Sequence, residues 1–274
     1  FFFFFTKMGE ETEVTPDPTF NSYGNIHHIK NKSYRACIFP DAKKAEGAPV
    51  FVGFPNIGIT PVLALNFLTQ DLDLPLIGTI REQATPTVAV VNSKGQPGPA
   101  IRIFGNEKLI IIGSEMKAEG NMKHLLDTIV AVIKHLKSNL IWCVEGVGVE
   151  KIERIDRSKL KYMTSSEELA KRFQEMGHTP FHNAMLAGIT GGLIAETSVS
   201  AGDFDIACLL VPSSSLYPDA MSSVVAIKVM AEIQQWKSDP KELESSAKQV
   251  EEKVQELIGS SLRKSGSGWS SMYQ

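Results

Sequence analysis

From Tyr34 onward, short apolar runs alternate with longer stretches in which apolar residues recur every three or four positions. The short runs fall at 35–39, 50–54, 76–80, 87–91, 101–104, 109–112, 141–145 and 206–211. Several of them are apolar throughout, the pattern of strands covered on both faces. The periodic stretches at 60–70, 121–136, 165–176, 188–200, 218–236 and 240–263 predict helices. Strands interleaved with helices predict an α/β fold, a three-layer α/β/α sandwich around a mainly parallel mixed sheet. Residues 87–112 break the alternation. Three strands follow one another there, the first two separated by Lys94-Gly95-Gln96-Pro97-Gly98-Pro99, which predicts an antiparallel meander or hairpin.

The last helix is amphipathic. Leu243, Ala247, Val250, Val254 and Leu257 recur at spacings of four and three, and Ser238-Asp239-Pro240 marks its start. A narrow seam of this kind packs on the domain or on a second copy; packing on the domain is the expectation. After it, Lys264-Ser265-Gly266-Ser267-Gly268-Trp269-Ser270-Ser271 reads as a flexible tether ending in Met272-Tyr273-Gln274. A tyrosine beside a terminal carboxylate offers apolar area and a charge-assisted contact to a basic side chain of a partner. The expected organisation is a disordered or spurious extension over 1–33, an α/β domain over 34–238, the helix over 239–263 and the tail over 264–274.

Composition narrows the function classes. In 274 residues, 43% hydrophobic and 22% charged content suits a globular domain, and a net charge of −3 gives no support for a nucleic-acid partner. The Lys43-Lys44 pair and the basic residues over 154–161 read as solvated surface. Cys37, Cys143 and Cys208 each sit inside an apolar strand run, as small buried hydrophobes do, and fit a reducing cytoplasm. No apolar run approaches a membrane span, and Phe1–Phe5 is too short for a secretory leader.

Chemistry-bearing motifs are sparse. Phe51 to Thr60 predicts a strand, a tight loop and a helix start, a place where backbone N–H groups can meet an anion. It lacks the Gly-Lys-Ser/Thr of a phosphate loop. Gly146-Val147-Gly148 follows a strand but has Lys151 where a dinucleotide fingerprint needs a third glycine. A low-specificity ligand loop remains at Pro55, Asn56 and Gly58 together with Gly191 and Gly192. The histidines have no zinc-ligand spacing, and no serine sits in a nucleophile elbow, so neither a metal nor a catalytic residue is predicted. Glu115, Glu145, Asp203 and Asp205 are candidates to line a cleft at strand ends.

Taken in order, several segments resemble the proteasome assembly chaperone family, in its archaeal branch. Val50 to Leu68 is similar to its opening strand, loop and helix, and Leu76-Ile77-Gly78-Thr79-Ile80 to its second strand. Pro99 to Phe104, Ile112-Gly113-Ser114-Glu115, Gly188 to Leu193 and Tyr217-Pro218-Asp219-Ala220 resemble further family segments. The resemblance implies a phosphorylase-like fold without a catalytic site or cofactor. It also implies a homo-oligomer whose partner is the proteasome core particle, with no nucleic acid or membrane involved. Some archaeal members end in a hydrophobic–Tyr–any tripeptide that docks between α subunits, and Met272, Tyr273 and Gln274 match it; Trp269 would touch the pocket rim. The alternative is a small-molecule enzyme of a phosphorylase-like or ATP-dependent ligase class.

Overall fold

The computed structural model describes residues 26–31, 33–82, 89–91, 95, 97–117, 121–149, 155–199, 203–237, 240–249 and 252. Among the described residues, twelve strands fall at β1 His27–Asn31, β2 Tyr34–Ile38, β3 Val50–Gly53, β4 Leu76–Glu82, β5 Ala89–Val91, β6 Pro97–Pro99, β7 Ile101–Gly105, β8 Ile110–Gly113, β9 Leu140–Val149, β10 Lys161–Thr164, β11 Thr179–Pro180 and β12 Asp205–Ser214. The helices are α1 Thr60–Asp71, α2 Met122–His135, α3 Glu167–Glu175, α4 Gly188–Val199 and α5 Ala220–Gln234. Residues 241–249 are also helical.

Ten strands form one sheet in the order β1-β2-β4-β7-β8-β3-β9-β12-β10-β11. Its centre, β8-β3-β9-β12, is parallel. An antiparallel wing, β1-β2-β4-β7, joins it through β7 and β8. The central runs are apolar throughout because helices cover both faces: every residue of β3 and of β8 is buried. Val50, Val52, Ile110, Ile112 and Cys143 face a core shared with α2 and α4. Phe51, Ile111 and Trp142 face the other core, with α1, α3 and α5. Phe173 of α3 anchors that second layer, edge-on to Trp142 and stacked on Tyr162 at 4.5 Å between centroids. The three-layer α/β/α sandwich is therefore as expected.

Three departures are informative. Residues 27–31, expected outside the fold, form edge strand β1, paired antiparallel with β2. Its sequence, His-His-Ile-Lys-Asn, carries no apolar alternation; α2 holds it through a His27–His135 stack at 4.2 Å. β10 and β11 extend the opposite edge, where no apolar run signalled strands. The expected meander resolves into a separate ribbon, β5 with β6, and the β7–β8 pair of the main sheet.

The helical residues 241–249 pack on the domain. Ala247 is buried, Leu243 lies against the α5 core, and Lys228 of α5 pairs with Glu244 at 2.6 Å. Val250, Val254 and Leu257 lie outside the described residues. Cys143 and Cys208 are buried and Cys37 is half-buried. No described helix is long and apolar enough to cross a membrane.

Candidate functional site

The carboxyl ends of β3, β9 and β12 meet at one rim of the sheet, and the loops that leave β3 and β12 border a cleft of about 540 Å³. One wall is the Pro55–Ile59 segment after β3. The other is Ser215–Pro218 after β12, with Lys117 at the edge.

The first wall is held by its own polar atoms. Asn56 donates from Nδ2 to the Val144 carbonyl at 2.9 Å and to Glu145 Oε2 at 2.8 Å, fastening the loop to β9. Gly58 has φ of 68°, a left-handed geometry that favours glycine. A β-carbon at Gly146 would overlap the Ile57 carbonyl oxygen, so this glycine seats the loop. That contact gives the first glycine of Gly146-Val147-Gly148 a packing role.

The second wall is organised by Asp219, which is 1% exposed. Its Oδ2 accepts from the Ser214 N–H at 2.8 Å, and its Oδ1 caps α5 by accepting from the Ser222 N–H at 3.0 Å. Arg157 donates from Nε to Oδ1 at 3.2 Å and from Nη2 to Oδ2 at 3.0 Å, a bidentate pair. The Asp219 N–H donates to the Gly58 carbonyl at 2.8 Å, so this one residue joins both walls. Arg157, read from sequence as part of a solvated basic run, is only 14% exposed and serves this pair. The helix expected over 218–236 took in Asp219, whereas α5 begins at Ala220 and Asp219 is its N-cap. Neither this role nor its cation, 62 residues away in the chain, was read from the sequence.

Beneath the cleft the hydroxyls are already engaged. Ser213 Oγ bonds Thr60 Oγ1 at 3.1 Å and donates to the Val211 carbonyl; Ser223 Oγ donates to the Thr60 carbonyl. The four candidate carboxylates do not assemble. Glu115 pairs with Arg102, and Glu145 sits behind Asn56. Asp203 and Asp205 stand at the opposite rim, where β12 begins, bound to Lys134 and Ser165.

Burial pushes the Glu145 carboxyl above its ordinary range, outweighing the hydrogen bonds from Thr190 and Asn56 that favour its charged form. A group with a raised folded-state pKa contributes stability below its unfolded pKa and loses it as pH rises through the folded value. Glu145→Gln is therefore expected to melt higher than the parent at pH 7, with the gain vanishing as pH falls below about 4. Melting curves across that range test it; a gain that grows in acid would refute it.

Pro55, Asn56 and Gly58 thus line the cleft, whereas Gly191 and Gly192 serve packing. A β-carbon on Gly191 would overlap the Leu186 carbonyl, and one on Gly192 would stand 2.6 Å from Leu126 Cδ2 of α2. Trp269, Met272, Tyr273 and Gln274 lie outside the described residues. Among the described lining residues there is no carboxylate, histidine or cysteine. The walls instead offer Pro55, Ile57, Leu216, Tyr217 and Pro218 beside the single cation of Lys117.

Such a fold is a three-layer α/β/α sandwich with a cleft at the carboxyl rim of its sheet. Residues 50–258 match the PAC2 family, and the chain belongs to that family. Among solved structures, PbaA of Pyrococcus furiosus, an archaeal homolog of proteasome-assembly chaperone, superposes with a TM-score of 0.72 at 21% identity, covering 88% of this chain and 100% of that one. PbaB of the same organism, an archaeal proteasome activator, gives a TM-score of 0.69 at 15% identity over 83% of this chain and 99% of that one. A proteasome-assembly chaperone homologue of Mycobacterium tuberculosis gives 0.58 at 15% identity, covering 77% and 95%. No curated protein sequence matches the chain.

Proposed function

We propose that this chain is a binding protein of the proteasome core particle, an assembly chaperone or activator rather than an enzyme, of the archaeal kind. The carrying observation is a combination: a fold shared along nearly the whole of PbaA and PbaB, and a C-terminus reading Met272-Tyr273-Gln274. In this reading the tail docks in pockets between α subunits of the core ring. Tyr273 fills the pocket, the Gln274 carboxylate pairs with a basic side chain, Met272 adds apolar burial and Trp269 touches the rim.

One tail binds weakly because ordering it costs conformational entropy, so several tails on a homo-oligomer act by avidity. Ile57, Met185 and Leu216, which are 44%, 93% and 65% exposed, supply apolar surface for such self-association. A tether of eight residues has a root-mean-square reach of roughly 16 Å, enough to find pockets without matched symmetry. A cytoplasmic location suits three free cysteines.

The test is co-purification of core-particle α subunits with the full chain and with a chain lacking its last three residues. Capture by the full chain alone is the expected result; equal capture by both would reject tail docking. The alternative, an enzyme of a phosphorylase-like or ATP-dependent ligase class, would use the 540 Å³ cleft. It predicts a saturable rise in melting temperature with a nucleotide or inorganic phosphate.

A further inference from the structure

We propose that the acidic N-terminal segment Glu10 to Asp17 docks on a row of cations across β1, β2 and β4. The row follows from strand register. Lys30 of β1 is paired with Arg35 of β2, and Arg35 with Arg81 of β4, so three cationic side chains stand side by side on one face. That face is opposite the α2 core, since the alternate residues Tyr34, Ala36 and Ile38 are buried there. Like charges placed directly across strands repel. Among the described residues none of the three cations has a carboxylate partner, and the buried Nε of Arg35 has no hydrogen-bond acceptor. Glu82, the nearest acid in sequence, is paired with Tyr34 and so lies on the other face. Lys30 and Arg81 are exposed, leaving the row open to an anionic cover.

The chain itself carries a matching anion. Glu10, Glu11, Glu13 and Asp17 precede β1, with Lys7 as the single cation of residues 1–26. Asp17 stands nine residues before Ile26, the residue that leads into β1. Nine residues reach about 30 Å when extended, whereas three neighbouring strands span only about 10 Å. A segment tethered beside its own site is present at an effective concentration of order millimolar, far above that of an unlinked acidic peptide in dilute solution.

A Glu-specific endoproteinase reads the docking directly, because its cleavage sites are the docked carboxylates. In the full chain at ~50 mM salt, cleavage at Glu10, Glu11 and Glu13 is expected to run about tenfold slower than in a free peptide of the same segment, an effect of the size that a few exposed ion pairs give together. At ~500 mM salt, or in Lys30→Gln/Arg81→Gln, the rate should return to that of the peptide. Both substituted residues are exposed, so this variant keeps its fold, and its melting temperature verifies that. Equal rates in parent and variant would overturn the proposal. So would protection that grows with protein concentration, which assigns the row to a second copy. An unprotected segment combined with salt-sensitive binding of an added glutamate-rich peptide would assign the row to an external acidic partner and also overturn it.

Discussion

Asp219→Ala is expected to lower the unfolding free energy by about 3–5 kcal/mol, the cost of breaking a buried ion pair by removing one member. Arg157, at 14% exposure, would lose its paired contacts with the carboxylate while keeping its hydrogen bond to Ser222 Oγ. The same change removes the α5 cap and the acceptor of the Ser214 N–H. Asp219→Asn keeps a capping oxygen while losing the charge, so its cost should be smaller. Urea unfolding of both variants, combined with Arg157→Met in a double-mutant cycle, separates the ion pair from the cap. If Asp219→Ala stays within about 1 kcal/mol of the parent, the pair does not hold the rim together. Because Asp219 also receives the Gly58 loop through its backbone, residual folded Asp219→Ala protein should show a loosened Pro55–Ile59 wall by amide exchange.

Tyr273→Ala carries the other large effect. Under the proposed docking, the ring is the anchor of each tail, and truncating such an anchor costs about 2 kcal/mol or more per site. Because the losses multiply across the tails of one oligomer, binding to the core particle should fall below detection in a pulldown. Adding one residue after Gln274 displaces the carboxylate while leaving the ring, and should weaken binding comparably. The melting temperature should not move in either variant. Retained capture by both would leave the tail without a role in binding, whatever the body of the protein does.

The clustering of candidate function at a rim and at a terminus has a physical origin. The central strands are sealed by helices on both faces, so their side chains are committed to packing. Cys143 shows the cost of that setting: burial pushes its thiol far above the ordinary range, which makes it inert as a nucleophile. Where β3 and β12 end, loops emerge with exposed apolar side chains such as Ile57 and Leu216.

Much of the architecture was legible because two-sided burial writes itself into sequence. The runs at 50–54 and 109–112 are apolar throughout and that at 141–145 is apolar up to Glu145, and β3, β8 and β9 lie there. Helix starts were legible where a cap or a proline marks them, as at Asn121 and Pro61. The candidate loop was half legible. Pro55, Asn56 and Gly58 sit in the cleft because a turn between a strand and a helix must surface at the sheet rim. Gly191 and Gly192 carry the same kind of signal, yet their missing side chains serve close packing near Leu186 and Leu126.

What sequence alone determined, then, is the set of central elements and their layering, since a strand buried on both faces and a helix buried on one leave different periods in the chain. Only the tertiary structure decided the edges and the pairings. β1 is polar and gains its place from α2 rather than from its own pattern. The Arg157–Asp219 pair joins positions 62 residues apart. Gly146 is a glycine because the Ile57 carbonyl, from a distant loop, occupies the space of its β-carbon. The row Lys30, Arg35 and Arg81 exists only once strand register sets three separate segments side by side. Local pattern records how each residue meets solvent, whereas contacts between distant segments are set by the packing of the whole chain.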